Sequence, residues 1–216
     1  MIFTRGVMVS QPFFQAVLLT LLTTILFETS LVGAQADRAP NVLLSPSSVR
    51  VLFVAESDSY TTAAHEYTAI WQREGSRIVA TMEQVSGIRF DSPPYADTAI
   101  TAIVFEGVSQ SGYRDRPIRL RASYPEPTKR ATLVHELGHR LQVGIARGHD
   151  EHEVLFLWLY DVWVALWGQQ FADEQVLVEK ARRGPYPRAW DAALALSATE
   201  RAAKFRRLRE QNASPH

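Results

Sequence analysis

The spacing of apolar residues divides the chain into strand-like runs followed by helix-like ones. Residues 49–55 are mostly apolar and β-branched and end at the polar group Glu56, Ser57, Asp58 and Ser59, a pattern that predicts a buried strand. From Thr61 to Ser86 the residues Ala64, Tyr67, Trp71, Ile78, Met82 and Val85 recur at three-, four- and seven-residue steps. That spacing predicts a long amphipathic helix, capped near Ser59 and stopped by Gly87, with Gly75 a weak point in its middle. His65 and Glu66 fall on its wet face. Residues 88–90 read as a short strand and 98–105 as a longer one. In 117–124 apolar and basic residues alternate, as in a half-exposed strand.

The second half is helical. Pro125 and Pro127 end the last strand, and Thr128 opens a helix with Leu133, Val134, Leu137 and Leu141 on one stripe. Gly144 and Gly148 break it into a polar turn. Residues 154–167 are apolar all round, with Asp161 as their one charged residue; the run is short for a bilayer span and reads as a helix buried in the core. Residues 172–183 form a further helix, stopped by Gly184 and Pro185, on which Glu174 and Glu179 read as solvated. Ser197 and Glu200 have the spacing of a capping box that opens a last helix, whose basic end reads as a solvated face. The predicted class is α+β: a small sheet with a long helix, then the 128–141 helix packed on a buried apolar helix, then C-terminal helices.

Ahead of this domain, Arg5, the apolar stretch 13–27 and the triplet Ala34-Gln35-Ala36 stand in the order of a secretory signal peptide. Cleavage after Ala36 leaves 37–216 as a single domain exported to a periplasm or medium; the alternative is an uncleaved membrane anchor formed by residues 13–27. No cysteine occurs in the 216 residues, so an exported chain would be held by its core and by any metal, without disulfides. The 23 basic and 23 acidic residues balance, which gives no reason to expect nucleic acid as a partner, nor a membrane unless the N-terminal segment is uncleaved.

The chemistry lies in the 128–141 helix. His135, Glu136 and His139 spell H-E-x-x-H. Residues four apart on a helix share one face, so both imidazoles can ligate one ion, and Glu136 then stands as the general base for a metal-activated water. Zinc suits neutral imidazoles, and a catalytic site needs three protein ligands. Together with Thr132, Leu133, Leu137, Gly138 and Leu141, the motif resembles that of the zincin metallopeptidases, closest to small gluzincin- and aspzincin-like domains. Arg140 departs from the pattern, which has an uncharged residue there. The resemblance implies a zinc metallopeptidase that hydrolyses a peptide or protein substrate, and an edge strand, here 117–123, that pairs with extended substrate backbone.

The third ligand is open. Folding the two helices back about 148–149 brings Asp161 level with the histidines, and a buried carboxylate needs a cation, so Asp161 is expected to complete the site. Glu153, His149 and His152 are the alternatives. A metzincin pattern is excluded, because Ile145 stands six residues past His139 where that pattern has histidine. Tyr160 and Tyr186 are candidate hydrogen-bond donors to an oxyanion. The rival to an enzyme is a non-catalytic, zinc-stabilised binding or scaffold protein.

Overall fold

The computed structural model describes residues 49–90, 99–112 and 116–212. The proposed signal peptide, the alternative anchor at 13–27 and the segment 37–48 lie outside the described residues. The architecture is α+β. Strands β1 (Arg50–Ala55), β2 (Ala99–Phe105) and β3 (Ile118–Arg121) form a parallel sheet in that order. In register, Val51 faces Ile100 and Ala102 faces Ile118.

One face of the sheet is buried through Val51, Ile100, Ala102, Val104, Ile118 and Leu120. Helix α1 (Thr61–Ser86) packs on it, with Tyr67 stacked on Phe53 at 5.8 Å between ring centroids. The helix runs unbroken through Gly75, where the missing side chain leaves room for the Trp71 ring. It ends at Gly87, whose φ of 65° closes the last turn in the left-handed region that glycine adopts without strain. The sequence pattern makes 49–55 a buried strand, but Leu52 and Val54 are 56% and 50% exposed, because no described element covers the other face of β1. Residues 88–90 form no strand.

Helix α2 (Glu126–Leu141) carries the H-E-x-x-H motif, and α3 (Glu151–Trp167) follows it. Leu155, Phe156, Leu157, Trp158, Leu159, Val162 and Trp163 are buried, so the all-round apolar sequence of α3 reflects a central position. Helices α1, α2, α4 (Gln169–Lys180), α5 (Tyr186–Leu194) and α6 (Ala198–Asn212) all pack against it. α3 and α2 approach closely at Gly138, where an added Cβ would lie 2.6 Å from Leu155 Cδ1. At the start of α6, the backbone N–H of Ser197 donates to Glu200 at 2.8 Å, and the N–H of Glu200 donates to Ser197 Oγ at 3.3 Å, the capping box the sequence spells. No described helix is long and apolar enough to cross a membrane.

Arg140, the charged departure from the zincin pattern, is buried. Its guanidinium donates to the carbonyls of Ser111, at 2.8 Å, and Arg116, tying the β2–β3 connection to the helix that carries the histidines.

Candidate metal centre

His135 and His139 project from one face of α2, as their four-residue spacing requires, and His152 from the first turn of α3 stands against both. Ring centroids lie 4.9 Å apart for His135 and His139, 5.5 Å for His135 and His152, and 4.8 Å for His139 and His152. One nitrogen from each ring lies within 4.8 Å of the others, and the three together can hold a metal ion.

A carboxylate faces Nδ1 of every ring. Glu179 Oε1 is 2.8 Å from His135, Glu151 Oε2 is 3.4 Å from His139, and Asp150 Oδ1 is 3.5 Å from His152. Asp150 is also the N-cap of α3, accepting from the backbone N–H groups of His152 and Glu153, so a single residue starts the helix and faces the ring. The negative charge beside each Nδ1 favours a proton there and leaves Nε2 as the lone-pair nitrogen, although Nδ1 of His135 and of His139 is not aligned for a hydrogen bond. Nε2 of His135 and Nε2 of His139 are 3.1 Å apart. Two lone pairs at that distance repel unless a proton or a cation sits between them. Two nitrogens bound tetrahedrally at the usual zinc distance are about 3.3 Å apart, so the His135–His139 pair is spaced as two ligands of one metal ion, with the third nitrogen within 4.8 Å.

The surroundings set the charge states. Burial, and then the charges of His135 and His139, push the His152 pKa down to about 4, so it is a neutral imidazole at pH 7. His135 is fully buried; burial opposes its protonated form, but Glu179 outweighs that and raises its pKa. Glu136, beside it, is buried, and burial raises its carboxyl pKa against the lowering pull of the two histidines. Its carboxylate accepts no hydrogen bond among the described residues.

Three of the residues expected at the site are elsewhere. Asp161 is bound at both oxygens by Arg201 of α6, at 2.6 and 3.1 Å. It stands nine residues, or half a turn beyond two full turns, from His152, on the opposite side of α3. A fold about 148–149 would bring Asp161 level with the histidines, but the helices meet in another register, with Leu155 and Trp158 against Gly138. Glu153 pairs with Arg188 at 3.0 Å. Tyr160 donates its hydroxyl to Asp173 at 2.7 Å. His149 is exposed and stands with His139, Gln142, Arg147 and Glu151 on the wall of an open cleft of about 370 Å³. Tyr186 stands beside the histidines: its ring lies 4.4 Å from His152 and 5.9 Å from His135. Burial pushes its pKa up to about 12, so it is an O–H donor at neutral pH.

The edge of β3 is closed. The backbone of Arg119 exchanges two hydrogen bonds with Gln110, at 2.8 and 2.9 Å. The N–H of Arg121 donates to Ser109 Oγ at 3.1 Å, and its carbonyl accepts from the Tyr67 hydroxyl at 3.0 Å. Extended substrate therefore finds no free edge there, contrary to the expectation for 117–123.

Glu179 and Arg182 are the site residues that sequence reasoning missed. The signal for Glu179 was present: Ala172, Val176 and Glu179 fall at steps of four and three, so the acid lies on the buried stripe of α4, and a buried carboxylate needs partners. Trp190 Nε1 donates to its second oxygen at 2.9 Å. Trp190 and Tyr186 belong to α5, a helix the sequence reading left out because Pro185 and Pro187 mask it; both prolines sit at its start, where their missing N–H groups cost nothing.

Comparison with protein-family models, curated proteins and solved structures finds no match for this chain.

Proposed function

We propose that this chain is an exported zinc metallopeptidase, with His135, His139 and His152 as the metal ligands and Glu136 as the general base. One observation carries the reading: three imidazoles, each with Nδ1 turned to a carboxylate, converge next to a buried glutamate that has no hydrogen-bond partner among the described residues. A purely structural cluster does not require an unpartnered acid at its side. The zincin resemblance of 132–141 supports the same assignment. Zinc, when bound, supplies a Lewis acid and makes water nucleophilic near neutral pH.

The protein's own groups do the rest. Glu136 accepts a proton from the attacking water and delivers it to the departing amine, a shuttle that suits a carboxyl whose pKa burial raises. Tyr186 donates its O–H to the carbonyl oxygen as charge develops there. Glu179, Glu151 and Asp150 fix the tautomers and ring orientations of the three histidines.

Zinc content and hydrolysis of a peptide mixture, followed by mass spectrometry, test this in the wild type and in Glu136→Gln. The expected result is about one zinc per chain in both, with cleavage by the wild type alone. Zinc in both without cleavage in either would favour a zinc-stabilised scaffold; no zinc in either removes both readings.

A further inference from the structure

With the β3 edge filled by Ser109, Gln110 and the Tyr67 hydroxyl, backbone pairing along 119–121 cannot hold a substrate, and recognition falls to side chains around the site. Arg182, immediately beyond α4, is the cation placed for it. Its side chain is 20% exposed and its guanidinium lies between two tyrosine rings, 5.8 Å from the centroid of Tyr124 and 5.4 Å from that of Tyr186. Two aromatic faces hold the fork in one orientation.

The fork is poorly matched within the protein. Arg182 Nη1 is 3.6 Å from Glu179 Oε1, and Nη2 is 3.5 Å from Thr132 Oγ1, both longer than a charge-assisted hydrogen bond of about 2.7–2.9 Å. Glu179 Oε1 lies nearer to His135 Nδ1, at 2.8 Å, than to the guanidinium, and its other oxygen accepts from Trp190 at 2.9 Å. The other polar neighbours of Arg182 are the Tyr124 and Tyr186 hydroxyls, and its charge also acts on Glu136. A guanidinium has five N–H donors and binds a carboxylate through two of them at once. Here the fork makes only long contacts with Glu179 and Thr132, is partly open to solvent beside Tyr186, and lies near enough to Glu136 for its charge to lower that acid's pKa.

We propose that Arg182 is the recognition group for a substrate carboxylate, so that the substrate is a peptide bearing a carboxylate, at its C-terminus or on an acidic side chain, close to the bond that is cut. This rests on the metallopeptidase reading. Its specificity would come from charge and from the bidentate geometry of arginine, independent of any strand edge.

The test uses the zinc-loaded full chain and small hydroxamates, which reach a metal directly and require no known substrate. Succinic monohydroxamate is compared with the matching carboxamide by calorimetry, on the wild type and on Arg182→Met. The acid is expected to bind the wild type at least about tenfold more tightly than the amide. Arg182→Met should lose that preference while its zinc content and its affinity for the amide stay unchanged. Hydroxamates of a terminal-acid peptide and of an amidated, glutamate-bearing peptide, each paired with its uncharged analogue, then tell a chain terminus from an acidic side chain. Equal binding of acid and amide by the wild type overturns the inference and leaves the metal reading standing. So does a loss of both ligands together in Arg182→Met, which marks a structural role. Absence of zinc and of all hydroxamate binding overturns the metal reading and this inference with it.

Discussion

Glu179 Oε1 stands 2.8 Å from His135 Nδ1, with both side chains closed off from solvent, 1% and 2% exposed. A carboxylate in that position raises the basicity of the opposite nitrogen and prevents the ring from turning. Replacing it with glutamine keeps the shape and removes the charge. Glu179→Gln is expected to weaken zinc binding about 10- to 100-fold, measured by competition with a chromophoric chelator. Unchanged affinity would show that the contact is packing alone.

His152 and Asp161 separate the observed site from the one the sequence suggests. His152→Ala should lose most of the bound zinc at equal chelator concentration. Asp161→Ala should keep it but leave Arg201, 6% exposed, with its charge unpaired. Loss of a buried partner costs about 3–5 kcal/mol; because Asp161 is 27% exposed and partly solvent-screened, about 2 kcal/mol is expected. Chemical denaturation with zinc analysis reads both quantities, and zinc loss in Asp161→Ala would return that residue to the metal's shell.

Acidification has a defined sign at His152. Its folded pKa, about 4, lies below its ordinary value of 6.5, so between those limits the unfolded chain takes up a proton there that the folded chain refuses. The contribution to stability is complete above pH 6.5 and disappears as the pH falls toward 4. In the metal-free protein the His152 ring resonances are expected to titrate near pH 4 by NMR. A midpoint at or above 6.5 would mean that the ring is not enclosed as described.

Gly138 permits the approach of α3 to α2. A methyl group there would meet Leu155 Cδ1 at 2.6 Å and the Trp158 ring at 3.2 Å, and both side chains are buried on all sides. Gly138→Ala is expected to cost about 1–3 kcal/mol from overpacking, read as a lower denaturation midpoint. A neutral or stabilising effect, as helix propensity alone would give, would show that the contact relaxes.

The helices and strands follow from periodicity because each depends on spacing within a short window. The run from Ala64 to Val85 marks α1, and the alternation after Pro117 marks β3. Ser197 and Glu200 mark the start of α6 through contacts three residues apart. His135, Glu136 and His139 were visible for the same reason. The third ligand was not, because it depends on how α2 and α3 meet: an assumed register brings Asp161 inward, whereas the contact at Gly138 brings His152. Arg182 was invisible for a related reason. Its meaning comes from Tyr124, Thr132 and Tyr186, which lie far from it or beyond a turn, and from the fact that Glu179 is already engaged.

The three carboxylates behind the histidines come from two distant places, the 150–151 turn and the far end of α4. A nascent chain in which α2 and α3 have docked but α4 has not yet packed would hold His135 without its orienting acid and with its ring free to turn. Tight metal capture would then wait on the packing of α4, and the rate of metal uptake would report when that helix docks.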